Sequence, residues 1–348
     1  MSYKLKTPKP ITKLAKVGAF ALLTSLSSAA LQAQEIRLTY SFFAPASTFP
    51  AKQMEKFAEE LHARTDGRVR VNTFPGGTLL TAPNTYDGVL AGLADIGLSA
   101  TSYEPGRFPL LNLAGSLTGI EVNSTVASQV VYDLIQEFPA ELLGLDEFKV
   151  ITAFTSEPGY LQTAAPIRSL EDMPGKQIRV AGDSTATVRA LGATPIGLSQ
   201  AETGEALQTG IVQGYVASRE VLMDLQYARN VSYMTDYPLS NVVFVAAMNK
   251  QRWESLPADV QEIIDDLGRE MAYFTGNYLD NHVQTSLEWA AQEHGFEQIT
   301  LSDDEAARWG EILAPLNEAA LQSVVNLGLP ATDFHERMME LIEHYQAQ

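Results

Sequence analysis

The sequence predicts an α/β chain divided into two lobes, and three observations predict it. Strand-like and helix-like segments alternate from residue 35 onward, the pattern that builds sheets covered by helices. About 315 residues follow a leader-like N-terminal segment, more than one hydrophobic core usually encloses. Two apolar strand-like segments, Val150–Phe154 and Val242–Met248, stand where one series of elements gives way to the next, so the chain passes between lobes at least twice.

Each element has its own signal. Glu35–Tyr40 alternates as an opening strand, and Pro50–Leu61 places Met54, Phe57, Ala58 and Leu61 on one helical face. A turn at Asp66-Gly67 leads into a second strand over 68–73. The unit repeats with a helix over 86–93 and a strand over 96–99, which predicts a mostly parallel sheet. Val150–Phe154 then leaves the first lobe. Pro158-Gly159 opens a new series that runs to Tyr233, and Val242–Met248 returns. From Ser255 the pattern becomes helical: Ser255 as cap, Pro257 in the first turn, Asp259 and Glu262 at the positive helix end. Val260, Ile263, Ile264, Leu267, Met271, Phe274 and Tyr278 recur at three-to-four spacing, and continuation through Leu287 and Ala291 predicts a helix of more than thirty residues. Residues 34–156 with roughly 243–284 are expected in the first lobe, and 157–242 with 285–348 in the second.

Residues 1–33 read as an export signal: lysines at 4, 6, 9, 13 and 16, a small and apolar run from Val17 to Ala30, and a cleavage site after Ala33. Thr24, Ser25, Ser27 and Ser28 make that run too weak for a membrane span. Loss of those five lysines takes the net charge from −18 to −23, a field that repels nucleic acid and anionic lipid and excludes both as partners. The chain has no cysteine, which excludes disulfides, thiolate catalysis and a lipid-anchored cysteine. A free periplasmic monomer without a cofactor is expected.

One stretch carries the functional reading. Asp172-Met-Pro-Gly-Lys-Gln-Ile-Arg-Val180 reads as a turn at Pro174 and Gly175 feeding a strand, so Arg179 emerges from an apolar Ile178/Val180 frame on a rigid element. A planar, permanently charged fork held in this way suits bidentate capture of a carboxylate. Glu205-Ala-Leu-Gln-Thr-Gly-Ile-Val-Gln-Gly214 follows. This pair of segments resembles the solute-binding proteins of tripartite ATP-independent periplasmic (TRAP) transporters. In that family a turn of the form L-K-G-x-K-I-R-V carries the ligand-gripping arginine, and A-L-Q-T-G-x-V-D-G comes after it. Thr65-Asp-Gly-Arg-Val69, Phe74-Pro-Gly-Gly77 and Trp253-Glu-Ser-Leu-Pro257 are similar to further family landmarks, so the resemblance spans essentially all of the chain after the leader. It implies a type II-like periplasmic binding fold, hinge strands between lobes, a long helix spanning both, and membrane permease subunits as partners. It also implies Arg179 as the carboxylate clamp.

Departures from the family pattern shape the expected ligand. Where the family places a second, ligand-selecting arginine, this chain has Leu161 within Gly159-Tyr-Leu-Gln-Thr163. The family's D-G-x-E-N-P run becomes Gln213-Gly-Tyr-Val-Ala-Ser218. The remaining candidates are aromatic: Phe42, Phe43, Tyr103, Tyr160 and Tyr215, with Thr101, Gln162 and Asp183 available for hydrogen bonds. Rings supply contact area and phenols supply sparse orientation, so an apolar or aromatic carboxylate is favoured.

Catalytic signatures are lacking: no G-x-S-x-G, P-loop, G-x-G-x-x-G or H-E-x-x-H is found. The five histidines, at 62, 282, 294, 335 and 344, have no metal-ligand spacing and read as solvated helix faces. Asn123-Ser-Thr125 reads as a loop. Two alternatives stay open from sequence. The same fold, with Glu157, Asp183 and Glu220 near the cleft, would accept a small amine or amino alcohol by cation–π attraction. A periplasmic hydrolase or isomerase with an unfamiliar site is the other.

Overall fold

The computed structural model describes residues 35–348, apart from Leu117, Gly119, Glu121 and the side chain of Asp183. The expected export signal at 1–33 lies outside the described residues. The chain opens with β1 (Ile36–Phe42), α1 (Phe49–Arg64), β2 (Val69–Phe74), α2 (Thr85–Leu90), β3 (Ile96–Ala100), α3 (Pro109–Ser116), α4 (Ser124–Glu137), α5 (Ala140–Leu143) and β4 (Phe148–Thr155). After β4 it crosses over and builds β5 (Tyr160–Thr163), β6 (Gln177–Val180), α6 (Thr185–Ala190), β7 (Thr194–Gly197), α7 (Gln200–Gln208), β8 (Gly214–Ala217), α8 (Val221–Asp224) and β9 (Tyr233–Thr235). It returns through β10 (Val243–Asn249) and α9 (Lys250–Glu254), then closes with α10 (Ala258–His294), β11 (Glu297–Ile299), α11 (Asp303–Val325) and α12 (Ala331–Gln346).

Two sheets result, one per lobe, in the orders β2-β1-β3-β10-β4 and β11-β9-β5-β8-β6-β7. Both are mixed rather than mostly parallel. β1 runs parallel to β2 and β3, whereas β10 pairs antiparallel with both β3 and β4. The reversal follows from the crossings: β10 enters the first sheet from the opposite lobe and is inserted beside the strand through which the chain left. It is apolar along its length because both faces are covered. Phe244, Ala246 and Met248 join one hydrophobic cluster, and Val243, Val245 and Ala247 join the other.

The long helix is present, with different punctuation. Pro257 takes the cap position of the 37-residue α10 and Asp259 its first turn, while Ser255 ends the short helix before it and donates to the Arg252 carbonyl. Val260, Ile264, Leu267 and Met271 of α10 are buried in the same cluster as Leu38, Met54 and Phe57 of the first lobe. Further along, Ser286 donates to the Arg219 carbonyl at 2.9 Å, and His282 Nε2 lies 2.7 Å from Asp224 Oδ1. The helix therefore touches both lobes. Asp280 accepts from the amides of Ser124 and Thr125 at 2.8 and 2.9 Å, fastening α10 to the positive start of α4. Asn123, expected in a loop, caps that helix by accepting from the Val126 amide.

The end of the chain departs from expectation. α12 falls within 285–348, expected on the second lobe, yet Phe334, Met338, Leu341 and Ile342 pack with Val130 and Leu134 of α4 on the first. α11 carries the chain across: Trp309 and Leu313 pack against Ile178 and Val180 of the second lobe, and Val324 joins the first-lobe cluster. Its amphipathic faces change partners along its length, which a single-helix pattern does not disclose.

Candidate ligand-binding cleft

β6 positions the central residue. Gly175 takes φ +81°, as the turn before the strand requires, and Ile178 and Val180 point into the second-lobe core. Strand alternation sends Arg179 to the other face. There it lines a narrow cavity between the lobes, with about 60 Å³ of enclosed space in this closed arrangement. The first lobe contributes Phe42, Phe43, Thr48, Phe49, Ala100, Tyr103 and Phe244. The second contributes Arg179, Ser184, Gln200, Ser218, Glu220 and Val221.

Arg179 is only 2% exposed. Its Nε donates to the Leu198 carbonyl at 2.9 Å and its Nη2 to the Tyr103 hydroxyl at 3.3 Å, so its hydrogen-bond partners are uncharged. Among the described residues it makes no ion pair with a carboxylate. A buried charge normally has a counter-charge, because removal from water is expensive. The Tyr103 hydroxyl, on the first lobe, also accepts from the Gln200 amide at 3.2 Å. Two second-lobe donors thus converge on one first-lobe oxygen. The lobes meet closely nearby, since a Cβ on Gly182 would collide with the Ser102 carbonyl.

The opposite wall is aromatic. Phe42 and Phe43 lie 4.7 Å apart between ring centres, Phe43 meets Tyr103 edge-on at 5.2 Å, and Phe49 meets Phe244 edge-on at 5.6 Å. Glu220 is the acidic side chain of the cavity wall and is also 2% exposed. One of its oxygens accepts from Ser218 Oγ at 2.8 Å, and Oε2 has no partner among the described residues. Burial, reinforced by the charges of Glu157 and Asp224, pushes its pKa up to about 8.

Of the residues singled out from sequence, Arg179, Phe42, Phe43 and Tyr103 come together here. Three others lie elsewhere. Leu161 is buried in the second-lobe core with Ile178 and Val216. Tyr215 is buried against Tyr227, its hydroxyl donating to Gln162 Oε1 at 2.7 Å. Tyr160 sits beneath the Arg219 guanidinium at 4.2 Å, facing a separate polar cavity with Glu157, Asp236 and Asp280. The Asp183 side chain lies outside the described residues. Thr101 is engaged with the Val243 carbonyl and Gln162 with that of Ala217. Sequence reasoning missed Phe49 and Phe244. Phe49 precedes the helix-starting Pro50, and Phe244 was hidden within a uniformly apolar strand. No described group of three or more His, Asp or Glu side chains is suited to a metal ion. No helix among the described residues is long and apolar enough to cross a membrane.

Comparison with known proteins places this geometry in context. Residues 40–323 match the family model described as bacterial extracellular solute-binding protein, family 7. A TRAP periplasmic solute-binding protein from Desulfovibrio salexigens, solved as an open complex, is 38% identical with a TM-score of 0.79, covering 90% of this chain and 98% of its own. A marine metagenome TRAP solute-binding protein specific for aromatic acid ligands, solved with 3-hydroxybenzoate, is 26% identical with a TM-score of 0.84, covering 90% and 99%. The C4-dicarboxylate-binding periplasmic protein DctP of Rhodobacter capsulatus is 24% identical over 322 residues, 89% of this chain and 93% of that one.

Proposed function

We propose, for a chain that belongs to the bacterial extracellular solute-binding proteins of family 7, that the interlobe cavity holds an aromatic or otherwise largely apolar monocarboxylate with its carboxylate on Arg179. The chain is a TRAP-type solute-binding protein for small organic acids. The observation that carries the finer reading is a guanidinium 2% exposed, bonded to a carbonyl and a phenol, in a wall that faces phenylalanines. A bidentate carboxylate supplies the missing counter-charge, and the rings of Phe42, Phe43, Phe49 and Phe244 take up the apolar body.

Closure follows from the same contacts. Tyr103 meets Arg179 and Gln200 only when the lobes are together, and burying Arg179 without an anion opposes that approach. A bound carboxylate removes the opposition, so ligand has higher affinity for the closed form and draws the population toward it. The segments that move are 157–242 with the adjoining part of α10 onward against 35–156 with 243–284, and α12 travels with the latter. The closed, monomeric receptor then passes its ligand, unchanged, from the periplasm to ion-driven permease subunits. Two observations count against the amine alternative: Arg219 pairs with Glu157, and burial pushes the pKa of Glu220 up to about 8.

The test is calorimetry with benzoate, 3-hydroxybenzoate, succinate and benzylamine, with native mass spectrometry of the recovered ligand. Aromatic monoacids are expected to bind tightest and to be recovered intact. Strongest binding of benzylamine or succinate, or conversion of the ligand, would overturn the reading.

A further inference from the structure

We infer that Glu220 is the second polar contact of the cavity and selects, among the acids that Arg179 holds, those bearing a hydroxyl group remote from the carboxylate. This rests on the carboxylate reading above. Glu220 lines the cavity, is buried, and has one oxygen fixed by Ser218 while Oε2 is without a partner among the described residues. An unsatisfied buried carboxyl oxygen is costly, and a ligand group that bonds it recovers that cost on binding.

The surroundings decide which ligand group fits. Glu157 approaches from the crossing after β4, held by Arg219; Asp224 approaches from α8, held by His282 of α10. The phenols of Tyr215 on β8 and Tyr278 on α10 complete the titratable shell. With two carboxylates close by, a third negative charge is disfavoured, and Glu220 stands as a neutral acid with an O–H to donate and a carbonyl oxygen to accept. A hydroxyl, both donor and acceptor, matches it. A second carboxylate on the ligand meets the field of Glu157 and Asp224, and a bare ring edge leaves Oε2 unsatisfied.

Calorimetry on the full chain with benzoate against 3-hydroxybenzoate, and phenylacetate against 3-hydroxyphenylacetate, tests this in the parent, Glu220→Gln and Glu220→Leu. The parent is expected to prefer the hydroxylated member of at least one pair by about tenfold, the worth of one good hydrogen bond. Glu220→Gln, which keeps a donor and an acceptor, retains the preference, and Glu220→Leu reduces it to within about threefold. Melting curves establish that both variants fold. Unaltered preference in the Leu variant overturns the assignment. So does equal loss in both variants, or tighter binding of 3-(aminomethyl)benzoate than of 3-hydroxybenzoate by the parent, since each requires an ionised carboxylate or none. If the parent binds both members of each pair equally, this inference fails and the carboxylate reading stands. If it binds no carboxylate, the carboxylate reading itself fails.

Discussion

Arg179 and Arg219 belong to the same lobe and are both largely withdrawn from water, yet their surroundings are opposite. Arg219 closes a two-pronged pair with Glu157, Nη2 to Oε2 at 2.7 Å and Nε to Oε1 at 3.0 Å, while its backbone amide donates to the same carboxylate at 2.6 Å. The Tyr160 ring lies beneath it, 4.2 Å from the guanidinium carbon. The Arg219 charge is answered within the chain. Arg179 has a carbonyl and a phenol for company and an aromatic wall opposite. A guanidinium with its own carboxylate is part of the architecture; on the proposed reading, the one without is completed by the ligand.

The comparison breaks if the two arginines exchange phenotypes. Arg219→Ala leaves Glu157 buried and unpaired, and a loss of about 3–5 kcal/mol in ligand-free stability is expected by denaturant unfolding. Arg179→Ala strands no internal acid, so ligand-free stability should change by less than about 1 kcal/mol. Its effect falls on affinity: about 2–5 kcal/mol, or roughly thirty- to several-thousand-fold, measured by calorimetry with the tightest acid. Arg179→Lys keeps the charge but loses the planar fork and should fall between. If Arg179→Ala unfolds the protein while still binding within threefold of the parent, the clamp assignment is wrong.

Glu220 sharpens the contrast by pH. Its folded pKa, near 8, lies above the ordinary carboxylate value, so the folded state binds the extra proton between the two values. Stability from this group is intact at low pH and falls as pH rises toward 8, by about 1.4 kcal/mol per unit. Glu220→Gln should flatten that slope in unfolding experiments between pH 6 and 8; an unchanged slope would mean Glu220 is already ionised. The smallest expected effect belongs to Tyr103→Phe. It removes the oxygen on which Arg179 and Gln200 converge and should weaken ligand affinity by about 0.5–1.5 kcal/mol, with a larger mean radius at half-saturation by small-angle scattering.

How far the sequence reaches is visible in these same residues. Arg179 was legible because a Pro-Gly turn and an Ile-Arg-Val strand fix its face by local rules. Phe42 and Phe43 were legible because they end the first strand, where α/β clefts form. Leu161, Tyr160 and Tyr215 were not, because β5 and β8 are buried on both faces and period-two alternation loses its inside and outside. Glu157 and Glu220 were both recognised as acids near the cleft. Only the fold shows that one pairs with Arg219 while the other is buried, which pushes its pKa up to about 8. The register of β10 and the return of α12 to the first lobe are long-range pairings without a local signal.

The 37 residues of α10 extend about 55 Å at the usual helical rise. The first part is clamped to the first lobe, with Gly268 and Gly276 so close to Tyr132 and Ser124 that a Cβ would collide. The part after Asp280 is fastened to the second through His282 and Ser286. If the lobes open as proposed, they work against a beam gripped at both ends rather than about a pin. A pin turns freely and has no preferred angle; a beam has a rest shape, resists bending in proportion to its departure from it, and springs back. Under the closure proposed above, the stretch of α10 between Gly276, packed against Ser124, and His282, bonded to Asp224, is where such a beam would flex.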